Sequence, residues 1–107
     1  MENKVFDFDE VIHEKTRLMI LSFLLKEEEL SYTDLKNMLN LTDGNLTSHL
    51  RVLENNGIVE FRKTFFGRKP KTFYKLTNYG KERFINYLNN IEKFLKELTS
   101  EKGGNND

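Results

Sequence analysis

Between Asp43 and Asn55 the run DGNLTSHLRVLEN projects onto a helix with Leu46, Leu50 and Leu53 on one side. The opposite side carries Gly44, Ser48, Arg51 and Asn55, flanked by Asn45 and Thr47. These side chains suit a nucleic-acid groove. Arginine forks onto guanine, asparagine pairs bidentately with adenine, and serine and threonine hydroxyls bond phosphates or base edges. Gly44 costs the helix on the order of 1 kcal/mol relative to alanine. Either its missing side chain lets backbone amides approach a phosphate at the positive helix end, or it relaxes the turn before the helix. Any exposed helix face is polar, so the surrounding chain has to decide between recognition and plain solvation.

The next stretch is basic. Residues 61–75 contain six bases (Arg62, Lys63, Arg68, Lys69, Lys71 and Lys75) and no acid. Over the whole chain 17 bases balance 17 acids, but the distribution is split. Residues 1–35 hold nine acids and four bases, whereas residues 36–83 hold ten bases and four acids. A zero sum divided in this way implies a polyanion partner at one face. Arg68 and Lys69 sit at the tip of the basic stretch, within reach of a backbone or minor groove, and phosphate contacts of this kind supply most of the affinity of such proteins. Alternation along a strand sends Arg62 and Lys63 to opposite faces. A charged edge that blocks sheet-to-sheet association explains one or two lysines, but a fifteen-residue stretch without an acid less well.

Other chemistries find little support. The chain lacks cysteine, which removes thiolate metal sites, disulfides and cysteine nucleophiles. His13 and His49 are far apart with no acid cluster at ligand spacing, so neither a metal nor a cofactor is expected. His49 falls at the edge of the leucine stripe, as a partly buried imidazole or, secondarily, a phosphate contact. No Ser–His–acid set, phosphate-binding glycine loop or carboxylate pair can be assembled, so an enzyme is not expected. No apolar run approaches the roughly 18 residues that span a bilayer, and the acidic start MENKVFDFDE lacks a signal peptide's basic region. A cytoplasmic protein without a membrane partner is expected.

The elements that position these residues follow from periodicity and caps. At 107 residues the chain reads as a single domain over 1–98 with a flexible tail over 99–107. A first helix spans about 10–26, with Leu18, Leu21 and Leu25 on one stripe and Met19 and Phe23 on another. Ser31 and Asp34 form a capping-box-like start to a second helix, about 32–39. Thr42 caps a third, about 43–56, which Gly57 ends. A β-hairpin wing over 58–77 turns at GRKP, and Thr77 caps a last helix over about 78–98. This order predicts a mainly α, α+β fold: a winged helix-turn-helix with a long C-terminal helix.

Phe84, Leu88, Ile91, Leu95 and Leu98 are spaced 4, 3, 4, 3, a heptad seam expected to make a dimer interface or else to pack on its own domain. Tyr87 and Phe94 lie beside it as core, or as the lining of an effector pocket for which no residue argues strongly.

Three stretches carry a family likeness: HEKTRLMILSFL, LTDGNLTSHLRVLENNGIVE and FFGRKPKTFYKLTNYGKERF. In these the chain resembles small stand-alone winged-helix transcriptional regulators related to the MarR and ArsR classes, over roughly residues 10–98. The resemblance implies binding of double-stranded DNA as a homodimer, with the third helix in successive major grooves and the wing beside them. Its contact positions fall on Asn45, Thr47, Ser48 and Arg51 in the helix and on Arg68, Lys69 and Lys71 in the wing. Gly44, Asn55 and Arg62 join that set from residue type and placement. The chain departs from metal-sensing ArsR relatives in lacking their ligands, and from MarR proteins in lacking the longer helices around their ligand pocket. Control by a small-molecule effector is therefore left open, with no residue arguing for it. The expected function is a sequence-specific, homodimeric DNA-binding regulator, most simply a repressor. The alternative is a winged-helix protein-interaction module that does not read sequence, while single-stranded RNA lacks the stacking aromatics it would need on the third helix.

Overall fold

Capping fixes where each helix begins and ends. The structure, a computed structural model, describes residues 6–105. Helix α1 (Lys15–Glu27) starts five residues later than the periodicity suggests, because Glu14 caps it by accepting the Arg17 N–H at 2.8 Å. The residues before it form a separate turn in which the Asp9 carboxylate accepts the Val11 N–H. After the short strand β1 (Leu30–Ser31), helix α2 (Tyr32–Leu39) opens with the expected box. Ser31 Oγ accepts the Asp34 N–H at 2.9 Å, and Asp34 accepts the Ser31 N–H at 3.2 Å.

Asn40 then takes the left-handed conformation, φ 55°, which asparagine tolerates better than most residues. This makes the break before α3 (Asp43–Asn55) tight, and Thr42 Oγ1 caps α3 by accepting the Asn45 N–H. Gly57, at φ 72°, closes α3 in a Schellman motif: its N–H bonds Glu54 O, and the Ile58 N–H bonds Leu53 O. Ile58 and Leu53 are both fully buried, which supplies the apolar contact that usually accompanies that motif.

Strands β2 (Val59–Phe66) and β3 (Lys69–Leu76) form the wing. Their register pairs Phe66 with Lys69, leaving a two-residue loop at Gly67 and Arg68 with Gly67 at φ 64°. The turn is thus shorter than GRKP, and Pro70 lies inside β3 opposite Phe65. Pairing of Leu30 with Tyr74 and Ser31 with Phe73 adds β1 to the far edge of β3, giving the order β1-β3-β2. The core beneath is built from Ile20, Leu21 and Leu24 of α1, Leu35 of α2, Leu46, Leu50 and Leu53 of α3, and Ile58, Val59 and Tyr74 of the wing.

Helix α4 (Asn78–Asn105) continues past the expected end near Leu98, and Thr99 bonds back to Leu95 O within it. The helix therefore occupies most of the stretch read as tail. Its face toward the domain also differs from the heptad reading. Gly80, Phe84 and Tyr87 are buried, and Ile91 and Phe94 are half-buried. Phe6 and Phe8 cover this face by packing edge-on against Phe94, each with ring centroids 5.4 Å away. Arg83 locks the same segment by gripping both oxygens of Asp9. The sequence reading misses this strap because FDFD, although it alternates, is only four residues long and its partners, Arg83 and Phe94, lie more than 70 residues away.

The start of α4 is held most closely. Thr77 Oγ1 donates to Gly57 O at 2.6 Å and accepts the Gly80 N–H at 2.8 Å. The Thr77 N–H bonds Ile58 O. A Cβ on Gly80 would overlap the Ile58 carbonyl oxygen and lie 2.7 Å from its carbon, so only glycine fits. Gly80→Ala should destabilise the domain by at least about 2 kcal/mol, read as a lower urea midpoint; an unchanged midpoint would contradict this contact.

The Arg83 guanidinium, bonded to Asp9, outweighs partial burial and holds the Asp9 carboxyl below its ordinary 3.8. The pair's stabilisation is therefore complete well above pH 3.8 and fades as acid titrates the folded carboxylate. Arg83→Met should lower the urea midpoint at neutral pH, with the gap to the parent protein narrowing below pH 3.8. A gap constant with pH would remove this ion pair as its source.

Candidate nucleic-acid interface

Helix α3 turns its three leucines fully into the core, so the opposite side is presented outward. Gly44, Thr47, Ser48, Arg51 and Asn55 line one open surface together with Asp43 and Val52. Asn45 is exposed in the same first turn but outside that patch. Nothing lies within 4 Å of a Cβ built on Gly44, and its φ is not left-handed. The fold thus gives no steric reason for a glycine there.

The N-terminus of α3 is anchored to α2. The Tyr32 hydroxyl bonds Asp43 Oδ1 and shares a hydrogen bond with Thr47 Oγ1, both at 3.0 Å. Lys36 Nζ stands 3.1 Å from Asp43 Oδ1 and, with Tyr32, holds that carboxyl below its ordinary range. The one acid on this face is thereby paired, and Thr47 is oriented by the scaffold instead of being free. Arg51 is exposed and, among the described residues, has no ion pair or hydrogen bond.

The wing divides its cations between two faces. Phe61, Lys63, Thr72 and Tyr74 line a depression shared with Thr47, Leu50, Arg51 and Glu54 of α3. Arg62, expected among the contacts, lies on the opposite face. It reaches across β3, with its guanidinium 4.5 Å above the Phe73 ring, to bond both carboxylate oxygens of Glu29 at 2.9 Å. The register of β2 against β3 decides this, and composition carries no sign of it. Lys63 therefore takes the place beside Arg51.

Lys71 is on the Arg62 face, with Nζ 5.3 Å from the Phe66 ring and 5.5 Å from that of Phe73. Arg68 and Lys69 stand exposed at the turn without ion pairs among the described residues. The wing residues expected to act together thus separate: Arg68 and Lys69 project from the tip and Arg62 and Lys71 lie behind, while Lys63, not among the expected contacts, shares a surface with Arg51.

His49 is half-buried. Its Nδ1 lies 3.1 Å from Arg17 Nη1 and 3.6 Å from Glu14 Oε1, and Arg17 Nε donates to Val11 O at 2.6 Å. The imidazole links α3 to α1. His13 Nδ1 is 2.7 Å from the Tyr87 hydroxyl. Among the described residues no group of three or more His, Cys, Asp or Glu is placed to hold a metal ion, and no helix is long and apolar enough to cross a membrane.

The five seam residues also separate. Phe84 is only 1% exposed within its own domain and Ile91 is half-buried, whereas Leu88, Leu95 and Leu98 are exposed. The reason is a rotation of α4: its inward face uses Tyr87 and Phe94, which leaves Ile85, Leu88, Leu95 and Leu98 as an outward apolar stripe.

Known proteins share this fold. The family described as "Winged helix DNA-binding domain" matches residues 16–95. An uncharacterized protein of Methanocaldococcus jannaschii is 39% identical over 88 residues, covering 82% of this chain and 96% of that one. The uncharacterized HTH-type transcriptional regulator YdgJ of Bacillus subtilis is 34% identical, covering 78% of this chain but only 51% of its own. Among solved structures, a transcriptional regulator homologue from Pyrococcus horikoshii superposes with a TM-score of 0.79 at 33% identity, covering 84% of this chain and 89% of that one. Bacillus subtilis PadR, solved in complex with operator DNA, superposes with a TM-score of 0.61 at 28% identity, over 72% of this chain and 48% of its own. With most of its length matched and the outward helix and wing both in place, the chain belongs to the winged helix DNA-binding domain family.

Proposed function

We propose that the protein is a sequence-specific, homodimeric transcriptional regulator of the cytoplasm, a repressor that occludes its operator. The observation that carries the reading is the surface on which Arg51 of α3 and Lys63 of β2 meet, neither of them held in an ion pair among the described residues. Asn45, Ser48, Arg51 and Asn55 enter the major groove, with Thr47 held in register by Tyr32. Lys63, Arg68 and Lys69 meet the backbone and the adjoining minor groove. Lys71 contributes from behind the tip, and Arg62 serves the sheet. The named relatives that are transcriptional regulators, and the operator complex of PadR, support this reading.

Dimerisation through the outward stripe of α4 accounts for leucines that the domain leaves uncovered. A two-fold dimer prefers a pseudo-palindromic operator, with half-sites about one helical turn, or a multiple of it, apart. Gly44 keeps the first turn of α3 open, so that its N–H groups come close to a phosphate.

Selection of bound sequences from a random duplex pool should return such a palindrome; enrichment of none would favour a protein-interaction module. Arg51→Ala should relax base preference at one position per half-site, at a cost of roughly 1–3 kcal/mol, and uniform weakening across all sequences would refute that role. Lys63→Ala should reduce the salt slope of binding by about one unit, while Arg62→Ala leaves it unchanged; the reverse pattern would exchange their assignments. Gly44→Ala should stabilise the fold by up to about 1 kcal/mol and yet weaken DNA binding. Leu88→Glu with Leu95→Glu should give a monomer by sedimentation equilibrium, and a persisting dimer would place the interface elsewhere.

A further inference from the structure

We propose that Phe65 is an apolar wedge, seated by the wing in the minor groove beside the α3 site, where it unstacks or bends the duplex. This rests on the DNA-binding reading above and deepens it.

Two phenylalanines straddle the wing tip, Phe65 at 64% exposure and Phe66 at 61%, and neither belongs to the core. Exposed aromatic rings at the end of a cationic hairpin are not explained by folding. Strand alternation separates them. Phe66 shares the Arg62 face, where Lys71 lies against its ring. Phe65 follows Phe61 and Lys63 on the face that borders Arg51, about 6.6 Å beyond Lys63 along the strand. Its cross-strand partner is Pro70, so the tip on this side is wholly apolar.

Reach agrees with charge. From Val59, buried under the wing, to Phe65 the strand extends roughly 20 Å, enough to pass one phosphate strand and enter a minor groove about 6 Å wide. Lys63, two residues back on the same face, and Arg68 in the turn would meet the phosphates beside the groove that the ring enters, while Lys69 pairs with Phe66 on the other face. Proteins that bend DNA from the minor groove combine these same parts, an apolar side chain between base steps and cations on the backbone.

The test uses the full chain and the duplex it selects from a random pool, with 2-aminopurine placed in turn at positions flanking each half-site. Binding should raise 2-aminopurine fluorescence at one flanking step. Phe65→Ala should abolish that rise and weaken binding roughly tenfold, the scale of one base–aromatic contact, without changing the salt slope. Phe65→Leu should retain part of both effects, and Phe66→Ala should match the parent protein. Equal effects of the two alanine variants, or no fluorescence change with the parent, would overturn the wedge while leaving DNA binding intact. Failure to select any duplex would instead overturn the DNA-binding reading, and the wedge with it.

Discussion

The first turn of α4 rests directly on the peptide that ends α3. Gly80 lies against the Ile58 carbonyl, and Thr77 bonds Gly57 and Ile58 while capping its own helix. Backbone against backbone leaves no side chain to change rotamer, so close contact and hydrogen bonds hold the root of α4 tightly against the end of α3. The Schellman closure at Gly57 depends on the same few atoms, because the Ile58 peptide that bonds back into α3 also receives α4. What α3 presents outward and what α4 presents outward are thereby tied through the same few backbone atoms.

The electrostatic arrangement is selective. Near α3 and the wing, Asp43 is matched by Lys36, Glu29 by Arg62 and Glu60 by Lys75, while Glu54 stays beside Arg51 and Lys63 in the depression between them. Arg51, Lys63, Arg68 and Lys69 are left over, and they lie on α3 or along the wing. The protein's zero net charge therefore coexists with a local excess of cations, because pairing occupies most of the acids nearby. A polyanion approaching α3 meets cations that need not break an internal ion pair first.

Features set by a few neighbouring residues were legible in the sequence. The Ser31–Asp34 box, the Thr42 cap, the Gly57 closure and the Thr77 cap all depend on spacings of three or four residues, and all four occur. The leucine stripe of α3, and hence its outward face, followed from period alone. Features set by long-range contact were not legible. Arg62 and Lys63 could be sent to opposite faces from sequence, but which one borders α3 depends on the register of β2 and β3 and on Glu29, 33 residues away. The heptad spacing found an apolar seam on α4 but missed its rotation, since Phe6 and Phe8 draw Phe94 inward from a distant segment. Gly80 carries no local sign of its role, because nothing near it in sequence announces that Ile58 will press against it.

Helix α4 is a rigid shaft rooted at Gly80, and this gives it a torsional meaning. One residue inserted after Phe94 would leave the root and the inward-packed Tyr87, Ile91 and Phe94 untouched and turn Leu95 and Leu98 by about 100° around the axis. The outer leucines would then point in a new direction relative to α3 while both ends kept their own chemistry. The angular phase between the two outward faces is thus encoded in the number of residues from root to stripe, and a lineage could retune it by length alone.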